Sequence, residues 1–170
     1  MFTHFYTLSI DNAFTMFFAI TFIIVFLDNI MENIRLKRII YWGMMLLSNI
    51  AIIYLTLISR RCTQVNNISL IPFKSYIDVA RGENIEILRA NFMNIMLFYP
   101  SGLSSTLLLK KKSNLVLAFI FVLLFSCGIE AIQYAFLLGY VEIDDVIHNF
   151  LGFILGFVAV KGLNLYFKNF

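Results

Sequence analysis

Two apolar stretches of the chain each carry a carboxylate followed by a carboxamide. Glu130 precedes Gln133 by three residues and Asp145 precedes Asn149 by four, so each pair shares one face of a helix. A carboxylate is costly among apolar groups and normally has a partner or a function there. We therefore predict that Glu130 and Asp145 supply acid/base chemistry or hold a divalent cation.

Arginines and further carboxamides lie close to the same apolar stretches. We predict that Arg60 or Arg61 contacts the phosphate of a lipid or another anionic ligand. Asn94 and Gln133 would orient that ligand, and Asn149 extends the binding set. A structural alternative stays open for each. The arginines would anchor a helix at the membrane surface, and the amides and acids would hydrogen bond a neighbouring helix.

The neighbours of Asp145 have plainer interpretations. Asp144 is expected to complement the dipole at a helix N-terminus. His148 could serve as a base or a metal ligand, although a lone histidine is weak evidence for either role. Gly152 and Gly156 continue the Asp145 face and allow another helix to approach closely.

Composition places these residues in a membrane protein. Hydrophobic residues make up 61% of the chain and charged residues 14%, against roughly 45–50% apolar and ~25% charged residues in soluble domains. The net charge is only +3 and the basic residues cluster beside apolar runs, so nucleic-acid binding is not expected. Cys62 and Cys127 lack the spacing of metal ligands, and no metal site is predicted from them.

The apolar runs predict an all-α polytopic membrane bundle with about five transmembrane helices. The first run has neither a basic n-region nor a small-residue cleavage site, so we expect it to be retained as an anchor. Pro100 and Gly102 should kink or weaken the third span. The predicted spans are 12–27, 39–58, 90–109, 115–138 and 143–167.

The loop after the second predicted span, at 59–89, is too apolar for a plain linker. Pro72 can occupy the first turn of a helix and Gly82 can end it. Between them, apolar residues recur at helical spacing, namely Phe73, Tyr76, Ile77 and Ala80. We therefore predict a short amphipathic helix that lies on the membrane surface.

The loop charges predict the orientation of the spans. Eight of the thirteen basic residues fall on one side, and cytoplasmic loops favour lysine and arginine. This side would be cytoplasmic and would hold the C-terminus, whereas the N-terminus and the loop 59–89 would lie outside. All the candidate residues then approach the outer leaflet of the cell membrane: Arg60, Arg61, Asn94, Glu130, Gln133, Asp145 and Asn149.

Three blocks of sequence resemble the VanZ-like family of bacterial membrane proteins, named for a glycopeptide (teicoplanin) resistance protein. The first is Ile71, Pro72 and Phe73 in NNISLIPFKSYI, which is similar to the NLIPF segment of that family. The second, NIMLFYPSG at 94–102, resembles the N-x-L-L-F-x-P-x-G helix. The third, IEAIQ at 129–133 with DDVIHNFLGFILG at 144–156, resembles E-x-x-Q followed by D-x-x-x-N-x-x-G-x-x-x-G.

The resemblance covers roughly residues 39–156. It implies a four-helix VanZ-like domain at 39–170, and it makes 1–38 an N-terminal addition with one extra transmembrane helix and a cytoplasmic loop. It also implies a cell-envelope role that can lower susceptibility to lipoglycopeptides. The chain departs from the family pattern at Ser101, at His148 and in the turn 139–143, which lacks an arginine often found there.

Three functions are compatible with these predictions. In the first, the protein binds or modifies a phosphate-bearing envelope lipid or a lipid-linked peptidoglycan precursor at the outer leaflet. In the second, it is an ion-coupled lipid transporter or flippase in which Glu130 carries a proton. No internal repeat is visible, which argues against a stand-alone carrier, and a homodimer would supply the missing second unit. In the third, it is a noncatalytic scaffold that positions an envelope enzyme.

Overall fold

The protein is almost entirely helical. A computed structural model describes residues 10–60, 62, 67–83, 85–109 and 112–168, with side chains described within 19–60, 62, 67–83, 85–109 and 113–167. The described helices are α1 (Ile10–Ile30), α2 (Ile34–Ile53), α3 (Lys74–Ala80), α4 (Glu86–Leu108), α5 (Lys112–Ala135) and α6 (Ile143–Lys168). Two short strands, β1 (Ile68–Ser69) and β2 (Val141–Glu142), pair in parallel and join the loop after α2 to the start of α6.

Within the described residues, three helices are long and apolar enough to cross a membrane, namely Ile34–Ile58, Ser113–Ala135 and Ile143–Phe167. Protein buries only 22% of the apolar window in each of the first two. Most of their apolar surface therefore needs lipid, since water would make its exposure costly. These helices indicate a helical membrane protein, as composition predicts, and the count of five spans stays a prediction.

Helix α4 is the most enclosed helix of the bundle. Polar residues in its second half are buried and bond to their own backbone: Ser104 Oγ donates to Ser101 O at 3.2 Å, and Thr106 Oγ1 donates to Gly102 O at 2.7 Å. A helix shielded by neighbours can carry such hydroxyls without exposing them to lipid. The helix also continues without a break through Pro100.

Glycines bring α4 and α6 into close contact. A Cβ added at Gly152 would lie 2.2 Å from the Ile95 carbonyl oxygen, and one at Gly102 would lie 2.0 Å from the Phe153 carbonyl oxygen. Gly156 is equally tight against α4. The close approach predicted for the Gly152–Gly156 face is thus confirmed, and its partner is α4.

Helix α2 ends in a π-helical turn, Tyr54–Ile58. Its widened turn is closed by the bond from Ser59 N to Tyr54 O at 2.8 Å. Such turns are rare and often lie at functional sites. This one leaves the Thr56 carbonyl oxygen available to α5 and directs Arg60 toward the end of the bundle.

Helix α5 ends earlier than predicted, at Ala135 and not at 138. Leu137 takes a left-handed conformation with φ of 55°, and the Leu138 N–H turns back to bond Gln133 O at 2.9 Å. In this helix-ending motif the left-handed position is usually a glycine. Because that position is Leu137 here, the sequence did not predict the helix end. Glu130 consequently lies about 8 Å from the helix end, at ~1.5 Å per residue.

The loop after α2 contains the predicted short helix, as α3. Phe73, Tyr76 and Ile77 are exposed, whereas Ser75 is buried. Ser75 therefore faces the bundle, and the amphipathic character of this helix stays a prediction. Contact of its exposed apolar residues with a membrane surface also stays a prediction.

Helix α1 is tied to the bundle by polar bonds. Thr21 Oγ1 and Tyr99 OH lie 2.6 Å apart in the interior. Near the α1–α2 turn, Tyr41 OH donates to Asp28 Oδ1 at 2.5 Å and Lys37 Nζ lies 3.2 Å from the same oxygen. The division of the chain after residue 38 stays a prediction.

Candidate functional site

The first two turns of α6 carry four polar residues on two adjacent stripes. Asp144 and His148 form one stripe, and Asp145 and Asn149 form the other, because residues four apart share a helix face. Each residue is rotated by about 100° from its neighbour in sequence. The two stripes therefore meet different parts of the protein.

Asp145 and Glu130 form the acidic pair of the site. Asn94 on α4 donates its Nδ2–H to Asp145 Oδ1 at 2.6 Å. The Glu142 backbone N–H donates to Glu130 Oε2 at 3.2 Å, and only 6% of Glu130 is exposed. The two carboxylates are close enough to interact electrostatically. Three helices, α4, α5 and α6, thus place two acids at one end of the bundle.

Arg60 reaches the same end from the π-helical turn. A Cβ at Gly139, in the α5–α6 turn, would lie 3.0 Å from Arg60 Nη1. The guanidinium interacts electrostatically with Glu130, Glu142 and Asp145. Within the described part of the chain it forms no ion pair with a carboxylate within 4.0 Å. The guanidinium is therefore not held by a direct ion pair to a described carboxylate. Arg61, the other predicted arginine, lies outside the described residues.

Two carboxamides of the site each keep an oxygen without a partner. Gln133 Nε2 donates to Thr56 O at 2.9 Å, and Asn149 Nδ2 donates to Ser126 Oγ at 2.8 Å. Because a carbonyl oxygen only accepts, the Gln133 bond fixes the orientation of that amide. Gln133 Oε1 and Asn149 Oδ1 are buried and find no donor among the described residues.

Each buried unpaired acceptor costs about 1–3 kcal/mol. The cost recurs on α5 and α6, on residues that flank the acidic pair. Ser126, Glu130 and Gln133 form one buried stripe of α5, at i, i+4 and i+7. A guest that donates hydrogen bonds, such as water or a hydroxyl group, would lower the free energy of this stripe.

The other stripe of α6 fastens the loop that contains α3. Asp144 is 2% exposed, and its carboxylate accepts from Phe73 N at 2.5 Å, Ser75 N at 3.0 Å and Ser75 Oγ at 2.5 Å. Asn91 on α4 donates to the same Ser75 hydroxyl at 2.8 Å. Phe73 has a left-handed φ of 59°. Such a conformation is strained for a bulky residue and persists only when its surroundings hold it.

His148 completes this set of bonds, which we call the latch: Phe73, Ser75, Tyr76, Asn91, Asp144 and His148. His148 Nδ1 lies 2.5 Å from Asp144 O, and Nε2 lies 2.7 Å from Tyr76 OH. Since the carbonyl can only accept, Nδ1 carries a proton, and Nε2 is hydrogen bonded to the tyrosine hydroxyl. Both ring nitrogens are occupied, which favours a structural role for His148 over a base or a metal ligand.

Glu142 is a site residue that the sequence analysis missed. It lies on β2, directly before α6, and its backbone N–H bonds Glu130. Burial, and after it the nearby Asp144 carboxylate, raise the pKa of Glu142 above its ordinary value, while Lys74 and Arg60 act in the opposite direction. Only the parallel pairing of β1 and β2 could have identified it, and two-residue strands leave no periodic signal in a sequence.

An apolar layer lies beneath the acidic pair. It is formed by buried side chains from α2, α4, α5 and α6: Ile52, Phe98, Val122, Ile129 and Phe153. Phe98 and Ile52 are completely buried. The polar site is therefore closed toward the middle of the bundle in this conformation.

The structure thus brings together most of the predicted site: Arg60, Asn94, Glu130, Gln133, Asp145 and Asn149. Within the described residues, no group of three or more histidine, cysteine or acidic side chains is arranged to hold a metal ion. The acidic pair offers two carboxylates and neighbouring amides. This arrangement can exchange protons, accept hydrogen bonds and, through Arg60, attract an anion.

Comparison with known proteins gives one match. A family model described as VanZ/LLP1 matches residues 16–165, a range that includes all three sequence blocks discussed above. No curated protein and no solved structure matches the chain. The match covers most of the sequence and agrees with the resemblance predicted from the blocks. The chain therefore belongs to the VanZ/LLP1 family.

Proposed function

We propose that this membrane protein binds, or modifies, a phosphate-bearing envelope lipid at the outer leaflet. The observation that carries the proposal is Arg60, whose guanidinium faces a buried acidic pair without forming an ion pair to any described carboxylate. A phosphate group is the anion that would pair with the Arg60 guanidinium, since arginine binds phosphate through two parallel hydrogen bonds. Arg61 would extend the same cationic surface.

The neighbouring residues have distinct roles in this proposal. Asn94 holds Asp145 in place through its 2.6 Å bond. Gln133 and Asn149 would accept hydrogen bonds from hydroxyl groups or water around the bound headgroup. Glu130 and Asp145 would exchange protons with the ligand if a reaction follows binding.

The proposal includes an arrangement in the membrane. Helices α1, α2, α4, α5 and α6 would be the five transmembrane spans, with the N-terminus outside and the C-terminus in the cytoplasm. The short helix α3 would rest on the outer surface through exposed Phe73, Tyr76 and Ile77. Envelope lipids and lipid-linked precursors are presented on that side, where the acidic pair would meet them.

The apolar layer beneath the acidic pair favours a closed binding pocket over a transport path. A carrier needs a polar route through the membrane, and here five buried apolar side chains interrupt it. A transporter would have to move α4 or α5 to open this layer. Dependence of lipid movement on a pH gradient in liposomes would instead support the carrier.

The site is tested by a double substitution, Glu130→Gln with Asp145→Asn. Purified protein in nanodiscs would be titrated with a polyprenyl phosphate, and bound lipid would be counted by native mass spectrometry. We expect binding or turnover to be lost while the protein stays folded. The matched control is Glu86→Gln, because Glu86 is an exposed acid paired to Arg89 at 2.7 Å. Unchanged binding by the double variant would contradict the site.

The phosphate contact is tested separately with Arg60→Gln. Removing a charge-assisted contact of about 1.5–3 kcal/mol should weaken binding by roughly ten- to a hundredfold. Arg89→Gln is the matched control, since that arginine is exposed and already pairs with Glu86 at 2.7 Å. Equal affinities for both arginine variants would show that Arg60 does not hold the phosphate.

The same double variant can be tested in cells through their susceptibility to a glycopeptide. If the bound lipid belongs to cell-wall synthesis, expression of the wild-type protein in a susceptible bacterium should lower teicoplanin susceptibility, and the double variant should not. Equal inhibitory concentrations for wild-type and double-variant cells with equal protein levels would separate the lipid site from any resistance role.

A further inference from the structure

A groove runs between α2 and α5 in the half of the bundle opposite the acidic pair. It encloses about 350 Å³ and is floored by α4. Met45 and Asn49 line it on α2, Ser105 lies on its floor, and Asn114, Phe121 and Phe125 line it on α5. None of these residues belongs to the proposed phosphate site.

The groove exists because α2 and α5 meet at one end only. Gln133 joins α5 to Thr56 at the π-helical turn, and the two helices diverge toward Asn114. From Asn114 to Phe125 the groove follows α5 for about 16 Å, at ~1.5 Å per residue. The hydrocarbon core of a bilayer is about 30 Å thick, so the groove spans approximately one leaflet.

The lining is mainly apolar, although Asn49, Ser101 and Ser105 also contribute to it. Phe121, Val122 and Phe125 surround the end nearest the middle of the bundle. Asn114 lies in the first turns of α5, at the end farthest from the acidic pair. Val122 also belongs to the apolar layer that closes the acidic site. The groove and the acidic pair are consequently separate sites, on opposite sides of that layer.

We propose that the groove binds one hydrocarbon chain of a membrane lipid whose polar headgroup lies near Asn114, in the leaflet opposite the acidic pair. Two of the three helices apolar enough to cross a membrane form its walls, so the medium around its opening is hydrocarbon. Water gains little from a lining that is mainly apolar. An alkyl chain fills such a groove and restores the dispersion contacts that its walls lack.

The size of the groove argues against a helix from a second copy of the chain. A helix segment 16 Å long and about 10 Å across occupies about 1,200 Å³, several times the volume of the groove. A single flexible chain fits where a helix does not. This inference is independent of the phosphate site, and it holds whether or not Arg60 binds a lipid headgroup.

Because the chain has a single tryptophan, replacing it allows one new tryptophan to report on the groove by fluorescence. In a Trp42→Phe background, Phe125→Trp places a fluorophore in the groove, and Leu124→Trp places one on the neighbouring lipid-facing surface, where Leu124 is 68% exposed. Both proteins would be reconstituted in bilayers in which a phospholipid with brominated chains progressively replaces the ordinary one. Bromine quenches tryptophan only on close contact.

We expect the tryptophan at 125 to be quenched by the brominated chain, and Ala118→Phe, which fills the groove from α5, to reduce that quenching several-fold. Quenching at 124 should be the same with and without Ala118→Phe. Absence of quenching at 125, or quenching that Ala118→Phe leaves unchanged, would overturn the proposal. If Phe125→Trp fails to fold, Phe121→Trp is measured in its place, with the same expected and opposing results.

A photoactivatable phospholipid provides a second measurement on the otherwise unmodified protein. With the reactive group near the end of its chain, adducts should map to α5 residues between 114 and 125, and Ala118→Phe should remove them. Adducts distributed evenly over the exposed faces of α2 and α5 would contradict a defined chain site. Crosslinks between two copies of the protein through the same residues would also contradict it, since they would assign the groove to a dimer.

Discussion

The two polar stripes at the start of α6 have similar chemistry and opposite degrees of hydrogen-bond satisfaction. Asp144 accepts three hydrogen bonds from the α3 loop, and both nitrogens of His148 are bonded. Asp145 has one amide partner, and Asn149 leaves a buried oxygen unpaired. The Asp144–His148 stripe holds the α3 loop against α6, whereas the Asp145–Asn149 stripe keeps an unused hydrogen-bond acceptor.

This difference separates structure from function in residues that are adjacent in sequence. A buried polar group with complete partners stabilises a fold, whereas each incomplete one costs about 1–3 kcal/mol. Natural proteins tolerate that cost where a ligand, water or a reaction compensates it. The comparison therefore predicts stability defects from the first stripe and binding defects from the second.

The largest effect should follow loss of the Asp144 carboxylate. Asp144→Ala leaves the N–H groups of Phe73 and Ser75 without their acceptor, so unfolding free energy should fall by about 3 kcal/mol or more. Thermal and denaturant unfolding in detergent would measure it. Asp145→Ala is the matched substitution, and it should cost much less stability while lipid binding is lost. Similar losses of stability in both variants would break the comparison.

A second test widens the distance between α4 and α6. Gly152→Ala places a Cβ 2.2 Å from the Ile95 carbonyl oxygen, and overpacking of this kind costs about 1–3 kcal/mol. Both stripes should weaken, because Asn91 and Asn94 reach them from α4. Gly128→Ala is the control, since a Cβ there meets nothing within 4 Å. A stable Gly152→Ala protein with unchanged binding would show that the close approach is dispensable.

The smallest effect concerns Glu142, directly before α6. Burial and the Asp144 carboxylate raise its pKa above the ordinary 4.5, so the folded protein holds this proton more tightly than the unfolded chain. This contribution to stability is complete below the unfolded-state pKa and is lost as the pH rises through the folded-state value. Glu142→Gln should flatten the fall in melting temperature over that range. An identical pH profile in wild type and variant would remove Glu142 from the electrostatics of the site.

The helices, the acidic pair and the glycine contact could be predicted because each has a local signal. Long apolar runs identify helices, and Gly152 with Gly156 indicates close packing whichever helix is the partner. The latch had no such signal, since Asp144 and Ser75 are 69 residues apart. Two local conformations also had no sequence signal. Leu137 is left-handed where glycine is usual, and α2 ends in a π-helical turn where an ordinary α-helical turn is expected.

The sequence by itself determined that this is a helical membrane protein of the VanZ/LLP1 family with rare acids among apolar residues. It did so because hydropathy and short motifs are properties of contiguous residues and do not depend on the folded arrangement. A structural role for Asp144, at a helix N-terminus, is already expected from the sequence. Only the tertiary structure decided that its carboxylate holds the α3 loop while Asp145 meets Asn94. A rotation of about 100° per residue turns them toward different neighbours, and those neighbours come from α3 and α4, which only folding brings beside α6.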